Sequence, residues 1–268
     1  MFFEMFTYAF VQRALVCGTF IALSCAALGC FLVLRRFSMI GDGLAHAGFA
    51  AVALALVIGA SPLALAIPLV MLMSLGILKL GEKTTLYGET AIGLVSSLAM
   101  ACAILLASLA GGFSVDLYGY LFGSILAIRE SELVLSIALS TAVILAIKVF
   151  YRYLFSITYD EEFAKVSGIK TGLVGKILIL LTALTVVLGM RVVGTLLVSS
   201  LIIFPAVTAL QLSKGFRATI LIAMACGAIS VTGGIAASFC LDLPTGATIV
   251  VVNFLLFAAA FAFSRMRG

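Results

Sequence analysis

Nine apolar stretches of about 20 residues, separated by short polar segments, dominate the amino-acid sequence. Each is long enough to cross roughly 30 Å of hydrocarbon as a helix, because an α-helix rises about 1.5 Å per residue. Only 10% of the residues are charged, against about 25% in a soluble domain. The sequence therefore predicts an all-α, polytopic membrane protein. The predicted spans are 11–34, 42–60, 62–80, 90–110, 131–151, 172–190, 194–212, 217–240 and 244–264.

The predicted number of transmembrane helices is about nine, with eight as the alternative. Only the Ser61-Pro62 turn separates the second stretch from the third, so these two could form one segment. The connections are too short for a separate soluble domain, so residues 1–268 form a single transmembrane domain. The N-terminal stretch is too long for a cleavable signal, and Arg35-Arg36 follows it directly.

The basic residues predict the orientation, because cytoplasmic loops carry an excess of lysine and arginine. With the N-terminus outside, 13 of the 16 basic residues fall on the cytoplasmic side, and the C-terminus is cytoplasmic. Those 13 are Arg35, Arg36, Lys79, Lys83, Lys148, Arg152, Lys165, Lys170, Lys176, Lys214, Arg217, Arg265 and Arg267. Topology thus accounts for the net charge of +5 without nucleic acid as a partner.

Asp42 and His46 are the strongest candidates for a functional site, and His46 is the chain's one histidine. Residues four apart share a helix face, and ionisable groups inside a membrane segment usually serve function. Carboxylate and imidazole bind Zn²⁺, Mn²⁺ or Fe²⁺. One chain supplies too few ligands for a tetrahedral site, but a two-fold dimer supplies four. In the alternative interpretation, Asp42 caps the second helix and His46 bonds locally.

A short amphipathic helix is predicted around residues 160–168, within the hydrophilic connection 152–170. Asp160 can cap it, Glu161 and Glu162 suit its first turn, and Gly168 can end it. Phe163 and Val166 lie three apart and would offer apolar anchors to a cytoplasmic partner. An ordinary surface loop is the alternative.

Two other regions leave alternatives open. The outer connection 111–130 contains Tyr118-Gly119-Tyr120-Leu121-Phe122-Gly123-Ser124, which could lie at the interface or dip back into the protein. Ser199, Ser200 and Thr208, in a span that Pro205 could kink, are candidates for pore lining or helix packing. The six cysteines include no CxxC pair and are interpreted as small buried hydrophobic residues.

Several chemistries are excluded by missing motifs. There is no G-x-x-x-x-G-K-[ST] motif, so the chain does not hydrolyse ATP itself. Neither H-E-x-x-H nor G-x-S-x-G occurs, which argues against an intramembrane enzyme. An ion-coupled secondary transporter remains a rival hypothesis, although Asp42, His46 and Glu89 would be its only ionisable candidates.

Five ordered motifs resemble the permease family of ABC importers for zinc, manganese and iron. They are 35–47 (RRFSMIGDGLAHA), 118–124 (YGYLFGS), 160–168 (DEEFAKVSG), 193–206 (VGTLLVSSLIIFPA) and 242–248 (DLPTGAT). The resemblance covers essentially the whole chain. It implies a type II ABC importer in a prokaryotic plasma membrane, in which two copies of the chain pair with two ATPase subunits. An extracytoplasmic metal-binding protein would deliver the ion.

The same resemblance implies roles for particular residues. Asp42 and His46 match the residues implicated in metal binding along the translocation path, and 160–168 sits where the family places its coupling helix. Thr195 and Phe204 depart from the residues usual at their positions. The wording of the 41–47 and 242–248 motifs favours zinc over manganese or iron as the transported ion. No permanently bound cofactor is expected.

Overall fold

The structure is a computed structural model that describes residues 7–83, 88–109, 119–121, 123, 130–192, 194–195 and 198–267. The described part is helical, as predicted, and it contains ten helices with defined bounds. They are α1 (Ala9–Leu34), α2 (Ile40–Val57), α3 (Pro62–Lys83), α4 (Gly88–Leu109), α5 (Glu130–Tyr159), α6 (Glu161–Val166), α7 (Thr171–Val192), α8 (Val198–Leu212), α9 (Phe216–Leu241) and α10 (Thr245–Arg267).

Eight helices of the described residues are long and apolar enough to cross a membrane, which agrees with the lower predicted number. The number is eight for a different reason than the expected merger of the second and third stretches. The second and third stretches remain separate helices, α2 and α3, because a turn at 58–60 and Pro62 part them. Instead, the seventh stretch forms only α8, whose 15 residues span about 22 Å.

The connection between α7 and α8 lies at the depth of the middle of α1. A Cβ added to Gly189 in α7 would lie 2.5 Å from a Val198 side-chain carbon and 3.6 Å from one of Ile21. Gly194 has φ +93°, and the Thr195 amide donates a hydrogen bond to the Tyr120 carbonyl (2.9 Å). From this level α8 runs along α1 toward the C-terminal end of α1, where Gly29 faces Ile202 and Ala206.

The outer connection is partly described, and its described turn is buried. Tyr120 and Leu121 are 4% and 8% exposed and belong to the hydrophobic core. With the backbone bond to Thr195, this burial favours the interpretation in which the segment dips into the protein. The rest of the 118–124 motif, apart from Gly119 and Gly123, lies outside the described residues.

Helix α5 is longer than predicted, since it continues past residue 151 to Tyr159. No glycine or proline interrupts residues 152–159, and the hydroxyls of Ser156 and Thr158 bond to carbonyls four residues earlier. The predicted hydrophilic connection therefore begins inside a helix that projects beyond the apolar core.

Helices α1, α2 and α7 are the most buried spans, whereas α3, α4 and α5 expose most of their surface. Lipid is the natural solvent for that apolar exterior. The cysteines follow this pattern only in part. All six are free; Cys17, Cys25 and Cys30 are buried, as predicted, but Cys102 and Cys240 are exposed on the outside of the bundle.

Candidate metal site and coupling helix

Asp42 and His46 lie on the first two turns of α2 and face one another. The Asp42 Oδ2 and His46 Nε2 atoms are 3.5 Å apart, and the two side chains are 33% and 17% exposed. Met39 precedes the helix, and no side chain caps it. The alternative interpretation, in which Asp42 caps α2, therefore finds no support. As predicted from their spacing of four residues, the Asp42 carboxylate and the His46 imidazole lie close together.

The separation between these two atoms suits a shared cation better than a hydrogen bond. Hydrogen bonds between nitrogen and oxygen are normally 2.7–3.2 Å long. Two donors, each about 2.1 Å from one metal ion in tetrahedral geometry, would be about 3.4 Å apart. Asp42 and His46 are thus close enough to contact one cation together.

Ser199, at the start of α8, adds an oxygen beside this pair. A Cβ added to Gly41 would lie 3.4 Å from the Ser199 Cα atom, so the first turns of α2 and α8 are in close contact. The Ser199 hydroxyl faces the Asp42 carboxylate but makes no geometrically acceptable hydrogen bond with any described residue. This oxygen is therefore near Asp42 without being held by it.

Two buried polar atoms at the site lack partners within the described part of the chain. They are His46 Nδ1 and Ser199 Oγ. A buried polar atom without a partner costs about 1–3 kcal/mol, and such atoms are rare in folded proteins. Their coincidence beside Asp42 marks a place that needs a further ligand, water or protein atom.

The remaining predicted pore residues are placed differently. Ser200 neighbours Ser199 and is half-buried. Thr208 is 2% exposed, and its hydroxyl donates to the Phe204 carbonyl within α8 (2.7 Å). No group of three or more His, Cys, Asp or Glu side chains occurs among the described residues. A single protomer therefore offers the Asp42–His46 pair, with Ser199 beside it, and no complete cage.

The predicted amphipathic helix forms as α6. Asp160 Oδ1 accepts a hydrogen bond from the Phe163 amide (2.9 Å) and caps its N-terminus. Gly168, with φ +82°, follows its end. Phe163 and Val166 are 68% and 88% exposed and lie three residues apart on one face of the helix. The helix thus presents two unpartnered apolar anchors, as the sequence predicted.

The opposite face of α6 is fixed to the bundle. Ala164 is fully buried, and Arg35, at the end of α1, donates to the Glu161 carboxylate (2.7 Å). On the exposed side, a hydrogen bond from Lys165 Nζ to Glu162 (2.8 Å) raises the pKa of the Lys165 ammonium. Lys165 therefore stays charged. The α6 helix, called the platform below, is held by Arg35 to the connection between α1 and α2.

Sequence reasoning missed two of these contacts. The pairing of Arg35 with Glu161 spans 126 residues, and nothing local signals it. Ser199 was predicted as a pore residue, but its position beside Asp42 depends on the packing of α8 against α2. A buried glycine at position 41 was the one available hint, because small residues permit close helix approach.

The chain is similar to membrane proteins of metal transport systems. The model of the ABC 3 transport family matches residues 7–264. The manganese transport system membrane protein MntC of Halalkalibacterium halodurans is 33% identical over 100% of this chain and 91% of its own length. A probable iron transport system membrane protein of Haemophilus influenzae is 34% identical over 98% and 97% of the two chains.

The fold is also similar to a solved transporter. The structure titled PsaBC from Streptococcus pneumoniae in complex with Fab superposes with a TM-score of 0.88 at 29% identity, covering 97% of this chain and 95% of the other. Membrane subunits of this kind are not enzymes, because the ATPase is a separate subunit. The chain therefore belongs to the ABC 3 transport family and is the membrane-spanning permease subunit of a metal ABC importer.

Proposed function

We propose that two copies of this chain form the translocation path of an importer for Mn²⁺, with Asp42 and His46 of each copy as ligands of the transported ion. The observation that carries the proposal is the 3.5 Å separation of Asp42 Oδ2 and His46 Nε2 beside two buried polar atoms that lack partners. A two-fold axis near this face would bring four such ligands together. Ser199 and Ser200 would contribute hydroxyl oxygens to the same path, whereas Thr208, buried and bonded within α8, is better explained by helix packing.

Manganese is the cargo that the relatives favour. The names of MntC and of the manganese import permease ScaB of Streptococcus gordonii specify manganese, and the Haemophilus influenzae relative is named for iron. The expected preference for zinc rested on the wording of two motifs and finds no support in these names. Ligand chemistry does not choose among the metals, since a carboxylate with an imidazole suits Zn²⁺, Mn²⁺ and Fe²⁺. Zinc and iron remain the alternatives.

The partners follow from the family. An ABC permease works with an ATPase and a substrate-binding protein, and the second copy of the chain is our proposal. We place α6 against the ATPase dimer, because its exposed Phe163 and Val166 offer a docking face. The N-terminus would lie outside and the C-terminus on the cytoplasmic side of a prokaryotic plasma membrane, with the short α8 completing a ninth passage. The α6 helix and most basic residues would then face the cytoplasm.

Transport in vesicles tests this proposal directly. The permease, reconstituted with its ATPase and supplied with its binding protein, should accumulate radioactive Mn²⁺ only when ATP is available to the ATPase. Uptake of Zn²⁺ and Fe²⁺, measured in parallel, should be slower at equal free concentration. Equal or faster Zn²⁺ uptake would overturn the choice of manganese. Accumulation by the chain without an ATPase would instead favour a secondary transporter.

The exposed ring of Phe163 supplies a second prediction. Phe163→Asp should abolish binding of the ATPase and ATP-driven uptake, because a carboxylate would be forced into an apolar pocket of the partner. ATPase recruitment can be measured by co-purification, and uptake in the same vesicles. Phe163→Leu should retain most of both activities.

Met266→Asp is the matched control for Phe163→Asp. Met266 is 78% exposed near the end of α10, so its replacement adds the same charge on the same predicted face, away from α6. It should leave recruitment and uptake nearly unchanged. Full recruitment of the ATPase by the Phe163→Asp variant would contradict the role assigned to α6.

A further inference from the structure

A groove with three cations opens between α5 and α9, remote in sequence from the candidate metal ligands. Its volume is about 580 Å³, within the range of pockets that hold whole small molecules. Lys148, Arg152 and Arg217 line one part of it, and Tyr151 lies among them. Ala27 of α1 also lines the groove.

The cations form one cluster because of helix geometry. Lys148 and Arg152 are four residues apart on α5 and share a face. Arg217 is the second residue of α9, and its guanidinium carbon lies 5.4 Å from the centre of the Tyr151 ring. All three side chains belong to exposed residues, so their charged groups can reach a ligand from outside the bundle.

The described carboxylates do not neutralise this cluster. The ion pairs that the structure shows between two described residues are Arg13–Glu130, Arg35–Glu161 and Lys165–Glu162, and His46–Asp42 is a further one when the imidazole is protonated. None includes a groove cation, and no acidic residue lines the groove. Three uncompensated positive charges side by side repel one another, so the cluster favours an anionic ligand.

The rest of the lining is apolar and runs deeper into the bundle. Ile144 and Ile147 contribute from α5, and Ile220 and Met224 from α9. The groove therefore combines a cationic mouth with a hydrophobic channel in the membrane-crossing part of the helices. A small soluble anion would use only the mouth. An amphiphile with an anionic head and hydrocarbon chains would use both.

The end of the bundle at which the mouth lies is the one that carries α6. Phe216, next to Arg217, packs against Phe31 near the end of α1 and against Phe155 near the end of α5. Basic pockets between transmembrane helices on the cytoplasmic side bind anionic lipid headgroups. We propose that this groove is a binding site for an anionic phospholipid of the inner leaflet, with its phosphate held by Lys148, Arg152 and Arg217.

A second protein copy fits the groove less well. The chain has 16 basic and 11 acidic residues, and the end of the bundle that carries α6 is its basic end. A second copy approaching there would bring further cations toward the three already present. An anionic lipid, in contrast, supplies negative charge through its headgroup. Its acyl chains would cover the isoleucines that line the groove.

The absence of tryptophan from the chain allows a specific measurement. Leu221 lines the groove and is 67% exposed, so a Leu221→Trp variant reports on whatever lies there. The full chain would be reconstituted in phosphatidylcholine vesicles that contain either brominated phosphatidylglycerol or brominated phosphatidylcholine. Half-maximal quenching should need at least about fivefold less of the anionic lipid, since even one surface cation contributes about 1 kcal/mol and the groove holds three.

The matched probe is Leu94→Trp. Leu94 lies at a similar distance from the start of α4 and is 56% exposed, but it is not in the groove. There the two brominated lipids should quench equally. If the Leu94→Trp variant showed the same preference for the anionic lipid, general attraction to the protein surface would explain the result. The proposed site would then be overturned. Equal quenching of the Leu221→Trp variant by the two lipids would overturn the site as well. Absence of quenching by either lipid would also overturn it, because it would show that protein covers the groove.

Removing the charges completes the test. In the Leu221→Trp background, K148Q/R152Q/R217Q should lose the anionic preference, and the single Arg152→Gln change should lose part of it if the triple variant does not fold. The control triple K79Q/K170Q/K176Q removes the same charge from exposed lysines outside the groove and should keep the preference. Loss of the preference in the control, or its survival in the groove variant, would contradict the proposal.

Discussion

His46→Ala should reduce ATP-driven metal uptake by more than about 100-fold, because loss of an outer-shell partner alone costs 10–100-fold in metal affinity or activity and His46 is proposed as a direct ligand. Asp42→Asn should have a comparable effect, since it removes the charge while keeping the shape of the side chain. Uptake of radioactive Mn²⁺ into vesicles measures both losses. The chain has one histidine, so no other imidazole in the same protomer can substitute.

Assembly must survive for this result to be informative. Both side chains are partly exposed, and neither fills a tightly packed core position, so each variant should still form the complex with the ATPase, as judged by size-exclusion chromatography. Glu89→Gln is the control. Glu89 is an exposed carboxylate in the first turn of α4, and the proposed mechanism does not use it. Near-normal uptake by the Asp42 and His46 variants would remove both residues from the ion path.

Gly29→Ala should disrupt the packing of α1 against α8. An added Cβ would lie 2.0 Å from the Ile202 carbonyl oxygen and 3.3 Å from the Ala206 Cβ. Because the first obstacle is backbone, the helices themselves would have to separate. Overpacking a core costs about 1–3 kcal/mol and occasionally more, and a backbone clash belongs at the upper end. We expect a fall of about 6–12 °C in the apparent unfolding temperature in detergent.

Gly76→Ala provides the comparison for Gly29→Ala. Gly76 also lies inside a transmembrane helix, α3, but an added Cβ would meet nothing within 4 Å. Its replacement should change stability by no more than about 1 kcal/mol, the difference in helix propensity between the two residues. A Gly29→Ala variant as stable as the Gly76→Ala variant would show that α1 and α8 do not approach each other this closely.

Local patterns predicted most of the helices and the α6 platform. Long apolar stretches specify helices in lipid because each backbone group must be satisfied within its own segment, and Asp160 with Gly168 marks a short helix by capping rules. The shortness of α8 could not be predicted this way. The 194–212 stretch is apolar throughout, and the departure from helix at Gly194 and Thr195 involves a contact with Tyr120, which is distant in the chain.

The candidate site was predictable only where it is local. The i, i+4 spacing brings Asp42 and His46 together regardless of tertiary structure. Ser199 approaches them only because α8 returns along α1 and α2, and Gly41 leaves room for that approach. Side-chain spacing along one helix is readable from sequence, whereas contacts between helices depend on the packing of the whole bundle.

If α6 docks the ATPase and Asp42 binds the ion, as proposed, the hydrogen bond between Arg35 and Glu161 makes the route from the ATPase to the ion short. Glu161 belongs to the docking platform, while Arg35 stands seven residues before Asp42, at the corner from which α2 starts. A displacement of the platform therefore acts on the base of the ligand-bearing helix through one guanidinium–carboxylate contact. With those proposed roles and the proposed orientation, nucleotide-driven motion would reach the metal ligands near the cytoplasmic surface and would not have to be relayed across the bilayer.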